Sequence, residues 1–347
     1  MGRIRFATIG SGKIVHRFLS AAEGCPELKY AAAYSRSEEK AAALAAKYSL
    51  KKTYTDLQAL AEDPDIDAVY IASPNCLHKD QAVLMLEHGK HVLVEKPSAS
   101  NYQELSEMIA AAEKNNVVLM EAMRTAYTQG FKLMKSLLPR LGKIRRVTFQ
   151  YCQYSSRYDN FKRGIIENAF KPELSNSALM DIGVYCVYSL VTLFGRPESV
   201  RAKSIFLSNG FEGAGTLICS YPDMIAEIIY SKITNSGVPS QIQGEEADML
   251  IDNIDDIRSI KLRYYDGRTD EVFPLHTPEK EMMSEVVQFV LRIRTSKPYY
   301  VNSINSMLVM DEARERTGIR FPADEESEKA KAIDLSKAFE NLDAAEA

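Results

Sequence analysis

Tryptophan is absent from the 347 residues, against 18 tyrosines and 13 phenylalanines, so no pocket in this chain is lined by an indole. Cysteine is sparse: Cys25, Cys76, Cys152, Cys186 and Cys219 form an odd, scattered set with no C-x-x-C pair. That pattern excludes a disulfide framework and points to a reducing compartment, with the cysteines serving as small core hydrophobes. Neither charge dominates, since 43 basic and 47 acidic residues leave a formal net charge of −4. A mildly acidic chain has no general attraction for phosphate backbones or anionic lipid, so neither nucleic acid nor membrane is an expected partner. No apolar run approaches the ~18 residues of a membrane span. The start, Met1-Gly2-Arg3-Ile4-Arg5, enters a strand pattern without the apolar core of a signal peptide. Phe6 stands where a myristoylation signal needs Ser or Thr. The expected location is cytoplasmic.

What is present is an ordinary globular composition, 46% hydrophobic and 26% charged, long enough for two domains at ~150 residues each. Short apolar runs at Ile4 to Ile9, Leu28 to Tyr34, Ala68 to Ile71, His91 to Val94 and Val117 to Met120, with a weak one near Thr53, alternate with helical patterns. This rhythm predicts a parallel α/β sheet covered on both faces. Ser35 to Glu38 and Ser100 to Gln103 match capping boxes, and Gly89 stands where a helix should end. After Met123 the pattern becomes alternating, at Arg145 to Tyr154, Val200 to Leu207, Thr216 to Tyr221, Ile225 to Ile233 and Ile257 to Tyr265. These predict half-exposed antiparallel strands, with Asp266-Gly267 as a hairpin turn before Thr269 to Phe273. Helices are expected at Tyr127 to Leu138, Ala178 to Phe194, Glu279 to Thr295, Ile304 to Arg316 and, as a charged terminal helix, Asp324 to Glu346. The predicted organisation is α/β: a doubly wound parallel Rossmann sheet over 1–123, then an α+β domain over 124–347 with a large, mostly antiparallel, open-faced sheet.

Gly10-Ser11-Gly12 lies between the first strand and a helical run, where a dinucleotide fold needs one glycine for a tight turn and another for close approach of a pyrophosphate. Gly10, Gly12, Lys13 and Ile14 are the candidate contacts there. The third fingerprint position is Val15 rather than Gly or Ala, which weakens the motif. At the end of the second strand, Tyr34-Ser35-Arg36-Ser37 carries no acid to hold a ribose 2′-hydroxyl, whereas Arg36 and Ser35 suit a 2′-phosphate. NADP is therefore the preferred cofactor, and NAD the alternative, because Glu38 and Glu39 lie close by.

Two further segments are more specific. Ala72-Ser73-Pro74-Asn75-Cys76-Leu77-His78 precedes a helix, and Gly89-Lys90-His91-Val92-Leu93-Val94-Glu95-Lys96-Pro97 follows it. Together they resemble the T/S-P-N-x-x-H loop and G-K-H-V-L-x-E-K-P strand end of the glucose-fructose oxidoreductase, inositol dehydrogenase and rhizopine-catabolism family. The resemblance covers nearly the whole chain. It implies an NAD(P)-dependent oxidoreductase acting on a sugar, polyol or diol, and cofactor contacts from Ser73, Pro74, Asn75, His78, Glu95 and Lys96. It also implies a cis peptide at Lys96-Pro97 and a homodimer or homotetramer formed through the second sheet.

From the residues themselves, Lys96 falls at the carboxyl end of a parallel strand, where open α/β sheets place their ligand crevice. Asp181 and Tyr185 in Leu179-Met180-Asp181-Ile182-Gly183-Val184-Tyr185 are four apart and share a helical face. This is similar to the D-I-G-x-Y form of the glucose-fructose oxidoreductase and dihydrodiol dehydrogenase branches. Combined, they suggest hydride transfer at a carbinol carbon, with Tyr185 exchanging the hydroxyl proton, Lys96 stabilising the phenolate and Asp181 orienting Lys96 or the substrate. As an acid in the reductive direction, Tyr185 needs no lowered pKa.

Two departures bear on the substrate. Ser175 to Met180 stands where relatives usually carry glycines, so a bulkier loop is expected. Glu121 to Tyr127 resembles the E-A-x-W-x-R-F segment of the dihydrodiol branch, yet the tryptophan position is Arg124, which becomes a candidate for the cofactor amide or substrate region. The aromatic diol activity of that branch is therefore not carried over. His88 and His91 lack partners for a metal set, and none is expected. Two other readings stay open: a glycosidase using NAD by transient oxidation, and a non-enzymatic cofactor- or sugar-sensing protein.

Overall fold

The computed structural model describes residues 2–275, 282–325 and 327. His276 and nearly all of the expected terminal helix lie outside them. The first sheet is built from β1 (Ile4–Ile9), β2 (Leu28–Tyr34), β3 (Lys52–Tyr54), β4 (Ala68–Ile71), β5 (His91–Glu95) and β6 (Leu119–Ala122). All pairings are parallel and the order is β3-β2-β1-β4-β5-β6. The chain reverses its winding between β1 and β4, and a doubly wound sheet opens its ligand crevice at that point. Connecting helices α1 (Lys13–Ala22), α2 (Glu38–Tyr48), α3 (Leu57–Glu62), α4 (His78–Glu87) and α5 (Tyr102–Lys114) run between the strands. Because β4 and β5 are covered on both sides, nearly all their residues are buried, as continuous apolar runs predict.

The helix starts differ from the expected ones. Ser37, not Ser35, caps α2, accepting from the Lys40 amide at 3.4 Å. Asn101, not Ser100, caps α5, accepting from the Glu104 amide at 3.0 Å, while Glu104 reaches back to the Ser100 amide at 2.7 Å. The boxes are shifted because Ser and Asn are all competent caps, and the backbone decides which one turns inward. Gly89 closes α4 at φ +73°, as expected.

Helix α6 (Gln129–Leu137) leads into the second sheet, formed by β7 (Ile144–Cys152), β8 (Ser199–Phe206), β9 (Glu212–Ser220), β10 (Ile225–Ser231), β11 (Ser240–Gly244), β12 (Ala247–Ile251), β13 (Ser259–Tyr264) and β14 (Glu271–Pro274). Between β7 and β8 lie α7 (Tyr158–Lys162) and α8 (Val184–Phe194). The order is β14-β13-β12-β11-β7-β10-β9-β8, antiparallel except for the parallel pair β7–β10. Strands β11 and β12 escape sequence reading because short segments with Gln and Asp at the outward positions carry little apolar signal. One face of the sheet buries Val147, Phe149, Leu217, Ile228, Ile242 and Met249, with α8 packed on β7 and β10. On the strands of the same sheet, Ile205, Ile218, Ile225 and Val272 are exposed.

Helix α9 (Met283–Thr295) returns to the first sheet and packs on α1, and α10 (Val301–Thr317) packs on α8, β8 and α5. By length and composition alone, the segment from Pro172 to Phe194, interrupted at 175–177, is apolar enough to cross a membrane, which escapes sequence reading. Ser175, Asn176, Ser177 and Asp181 had masked it, and 72% of its most apolar window is buried inside the protein.

Candidate active site

The crevice at the winding reversal is bordered by the segments that follow β1, β4 and β5. Gly10 has φ +118°, and a Cβ there would lie 2.6 Å from the Ala72 carbonyl oxygen. No other residue lets the turn after β1 pass so close to the end of β4. Gly12 precedes α1 with open space where a Cβ would stand, and no side chain caps the helix. Of the first-turn amides of α1, Val15 donates to the Gly12 carbonyl at 3.1 Å, while those of Lys13 and Ile14 precede the helical ladder, an arrangement that suits a pyrophosphate. Lys13 is exposed and Ile14 half-buried beside it.

At the tip of β2, Ser35 is buried and its hydroxyl accepts from the Ser37 amide at 3.3 Å. Arg36 is exposed. Burial raises the Cys76 thiol in the loop that follows β4, and the Arg36 charge acts against that rise. In that loop, Ser73 donates to Gln81 at 2.6 Å and Pro74 is half-buried. The Asn75 amide donates to the Ser175 carbonyl at 3.0 Å and to Asn176 Oδ1 at 2.9 Å. Asn75 therefore ties the first sheet's loop to the bulky segment before Asp181, where Ser175 is fully buried at φ +58°.

His78 is fully buried, with Nδ1 3.0 Å from the Pro97 carbonyl and Nε2 2.9 Å from the Ser73 carbonyl. Burial holds its pKa below the ordinary value. Its buried ring bridges the Ser73 and Pro97 ends of the two loops. Glu95 is likewise buried and accepts from the Tyr70 hydroxyl. Burial raises its carboxyl despite the nearby charges of Lys96 and Arg124.

Lys96 follows β5, and its peptide bond to Pro97 is cis. Its ammonium donates to the Asp181 carbonyl at 2.6 Å and to Asp181 Oδ1 at 2.9 Å, and lies 4.9 Å from the centre of the Tyr185 ring. Lys96 thus meets Asp181 and Tyr185, which lie more than 80 residues further along the sequence. Asp181 does not sit in the plain α-helix that a four-residue spacing suggests. Leu179–Gly183 forms a π-helical turn before α8, a widening that commonly marks functional positions. Gly183 permits it, since a Cβ there would lie 3.0 Å from both Leu179 and the Tyr230 ring. Ser177 and the buried Glu212 of β9 cap this turn, accepting from the Met180 and Leu179 amides at 3.1 and 3.0 Å.

A fourth residue was missed. Lys232, just beyond β10, places its ammonium 2.8 Å from Asp181 Oδ2 and donates to the Ala169 carbonyl at 2.9 Å. Its side chain is 5% exposed and its ammonium lies 4.8 and 5.2 Å from the Phe170 and Phe211 ring centres. The strand alternation held the signal: Ala226, Ile228 and Tyr230 point inward, so Lys232 does as well. A buried lysine needs an anionic partner.

The charges set the protonation states. Burial would raise the Asp181 carboxyl, but the Lys96 and Lys232 charges outweigh it and hold Asp181 far below the ordinary carboxylate range. Burial would lower Lys96, yet Asp181 and then Tyr185 raise it well above the ordinary ammonium value. Tyr185 differs from the sequence expectation. Burial raises its phenol, and the opposing charges of Lys96 and Arg124 do not bring it back below the usual value. Arg124 pairs with the buried Asp255 at 3.3 Å, and the Tyr151 ring meets Tyr185 edge-on at 5.7 Å.

Residues 4–123 match the protein-family model described as an oxidoreductase family with an NAD-binding Rossmann fold, and 133–249 match the GFO/IDH/MocA C-terminal domain. The chain is 47% identical over 327 residues to a scyllo-inositol 2-dehydrogenase (NADP(+)) of Bacillus subtilis, covering 93% of this chain and 99% of the relative. It is 28% identical to a trans-1,2-dihydrobenzene-1,2-diol dehydrogenase of Xenopus tropicalis, covering 92% and 99%. A 3-ketoreductase from Actinomadura kijaniata, solved with NADP and TDP-benzene, superimposes with a TM-score of 0.82 at 19% identity, covering 92% of this chain and 99% of that one.

Proposed function

Since the chain belongs to the GFO/IDH/MocA family of NAD-binding oxidoreductases, we propose that it is an NADP-preferring dehydrogenase of a cyclic polyol or related sugar, with Lys96, Asp181 and Tyr185 at its reaction centre. The observation that carries this reading is the convergence of those three residues at the crevice beside the open start of α1. A substrate like that of the B. subtilis relative, a polyol with many equivalent hydroxyls, is favoured over an aromatic diol, because Arg124 replaces an indole in the pocket. We read 1–123 as the cofactor domain and 124–347 as the substrate and oligomerisation domain.

A bound nicotinamide dinucleotide supplies or accepts the hydride. Gly10, Gly12, Lys13 and Ile14 would hold its pyrophosphate, Ser35 and Arg36 its 2′-phosphate, and Ser73, Pro74 and Asn75 the crevice wall, with His78 and Glu95 as buried supports. Lys96 is a fixed ammonium whose remaining N–H can donate to the substrate oxygen. Asp181 is ionised with one carboxylate oxygen at each lysine, so it orients the ammonium and does not take the proton. That leaves Tyr185 to exchange the hydroxyl proton. A phenol raised above its ordinary value of 10.0 is protonated at neutral pH and can donate when a ketone is reduced. Oxidation needs the phenolate, so the kcat for oxidation should rise steadily from pH 7 to 10 while that for reduction stays flat to pH 9. Matching plateaus in both directions would remove Tyr185 from the proton step.

The direct test follows NADPH absorbance with purified protein and a polyol panel that includes scyllo-inositol. Net reduction of NADP+ is expected. Turnover of a glycoside without net change in cofactor would instead favour the transient-oxidation route, and ligand binding without any turnover would favour a sensor. Arg36→Ala should raise KM for NADP+ about 10- to 100-fold, the loss of a charge-assisted phosphate contact, and change KM for NAD+ less than threefold. Equal effects on both would detach Arg36 from the 2′-phosphate. The exposed Ile205, Ile218, Ile225 and Val272 support self-association through the open sheet face, which light scattering would read as a dimer or tetramer. The five scattered free cysteines support a reducing, cytoplasmic location.

A further inference from the structure

We propose that Lys232 is a positioning residue for this reaction: it clamps the second oxygen of Asp181 so that the first stays on Lys96, and it ties the 169–175 segment to the same carboxylate. This rests on the hydride-transfer reading above. The Asp181 side chain is 38% exposed, yet both of its carboxylate oxygens are held. The Asp181 carboxylate lies between two ammonium groups, Lys96 at 2.9 Å on Oδ1 and Lys232 at 2.8 Å on Oδ2. With Lys232 removed, Oδ2 loses its ion pair and the carboxylate is free to rotate about Lys96.

Lys232 is itself held. Its ammonium donates to Ala169 at 2.9 Å and lies over the Phe170 and Phe211 rings, which are fully buried and 4.7 Å apart. Cation–π contact and a carbonyl acceptor make a site for a lysine whose side chain is nearly all buried. The segment that it anchors continues through Ser175 to the hydrogen bonds from Asn75. Lys232 thus links the wall of the crevice to the residue that orients Lys96. Two lysines and one aspartate leave one net positive charge at the reaction centre, which favours an alkoxide-like oxygen there over a neutral hydroxyl.

A merely structural lysine and a positioning lysine differ in how they couple to Asp181. Lys232→Met should lower kcat for polyol oxidation about tenfold, leave the Kd for NADPH within twofold, and be largely restored by Lys232→Arg. In an Asp181→Asn background, where the carboxylate is already gone, Lys232→Met should lower kcat less than twofold further. That non-additivity is the signature of one residue acting through the other. Losses that multiply across the two positions, or a Lys232→Met enzyme as fast as the parent, would overturn the proposal while leaving the dehydrogenase reading intact. A parent enzyme inactive on every polyol would overturn both.

Discussion

Lys96→Ala should lower kcat about 10³-fold, within the 10²- to 10⁴-fold range of a positioned proton-transfer or hydrogen-bonding group, while the Kd for NADPH changes less than threefold. The ammonium does three things that no neighbour can replace. It donates to Asp181 through two of its three N–H groups, which leaves one for a substrate oxygen. It is the foremost charge opposing the rise of the Tyr185 phenol, so its loss moves Tyr185 further from the value needed to release a proton. It also balances Asp181, which would otherwise keep Lys232 alone as its partner. The adenosine end of the crevice, at Ser35 and Arg36, lies beyond β2 and does not touch Lys96, so cofactor affinity is a fair control. Stopped-flow traces at saturating NADP+ and polyol would separate the chemical step from binding. An alanine variant within fivefold of the parent would remove Lys96 from the reaction centre.

Glu285→Met should raise the thermal midpoint by several degrees at pH 8 and by little at pH 5. Glu285, on α9, is fully buried, and neither of its carboxyl oxygens has a hydrogen-bond partner among the described residues. Burial, and then the Glu95 charge, push its carboxyl well above the ordinary value, with Arg124 opposing. The sign follows from linkage. Below about pH 4.5 the side chain is protonated in both folded and unfolded chains, so it adds no pH dependence. Above that, the unfolded chain releases the proton while the folded one retains it, and stability falls by about 1.4 kcal/mol per pH unit until the folded group also titrates. Methionine has similar length, fills the space and removes both the titration and the orphan oxygens. A gap between variant and parent that is constant with pH would show that Glu285 is ionised in the folded protein.

The first sheet was legible because parallel strands buried on both faces are continuous apolar runs, and Ile4 to Ile9 and Leu28 to Tyr34 were found to the residue. Val117 to Met120 was placed two residues early, since Val117 and Val118 look like strand in sequence but pack before the ladder begins at Leu119. The second sheet was harder. Its outer face is polar in the middle, so β11 and β12 carried no clear pattern, and the parallel pairing of β7 with β10 is a matter of topology that no local pattern encodes. Lys96, Asp181 and Tyr185 were legible through motif spacing, yet the π-turn that aims Asp181 was not, because a four-residue spacing reads as plain α-helix. The raised Tyr185 phenol was hidden for a different reason. Sequence gives the neighbours but not the depth of burial, and burial outweighs the Lys96 charge. The resemblance implied a cofactor contact from His78, whereas the structure buries its ring between the Ser73 and Pro97 carbonyls, to one of which the neutral imidazole donates.

The most direct measurement is the fate of a labelled hydrogen. The purified enzyme would be incubated with NADP+ and scyllo-inositol deuterated at its ring carbons, and the mass of the reduced cofactor read. The account predicts NADPD, one mass unit above NADPH, formed by the parent enzyme and lost with Lys96→Ala. Unlabelled NADPH, or no reduced cofactor from the deuterated polyol or any other cyclic polyol, would contradict hydride transfer at this centre.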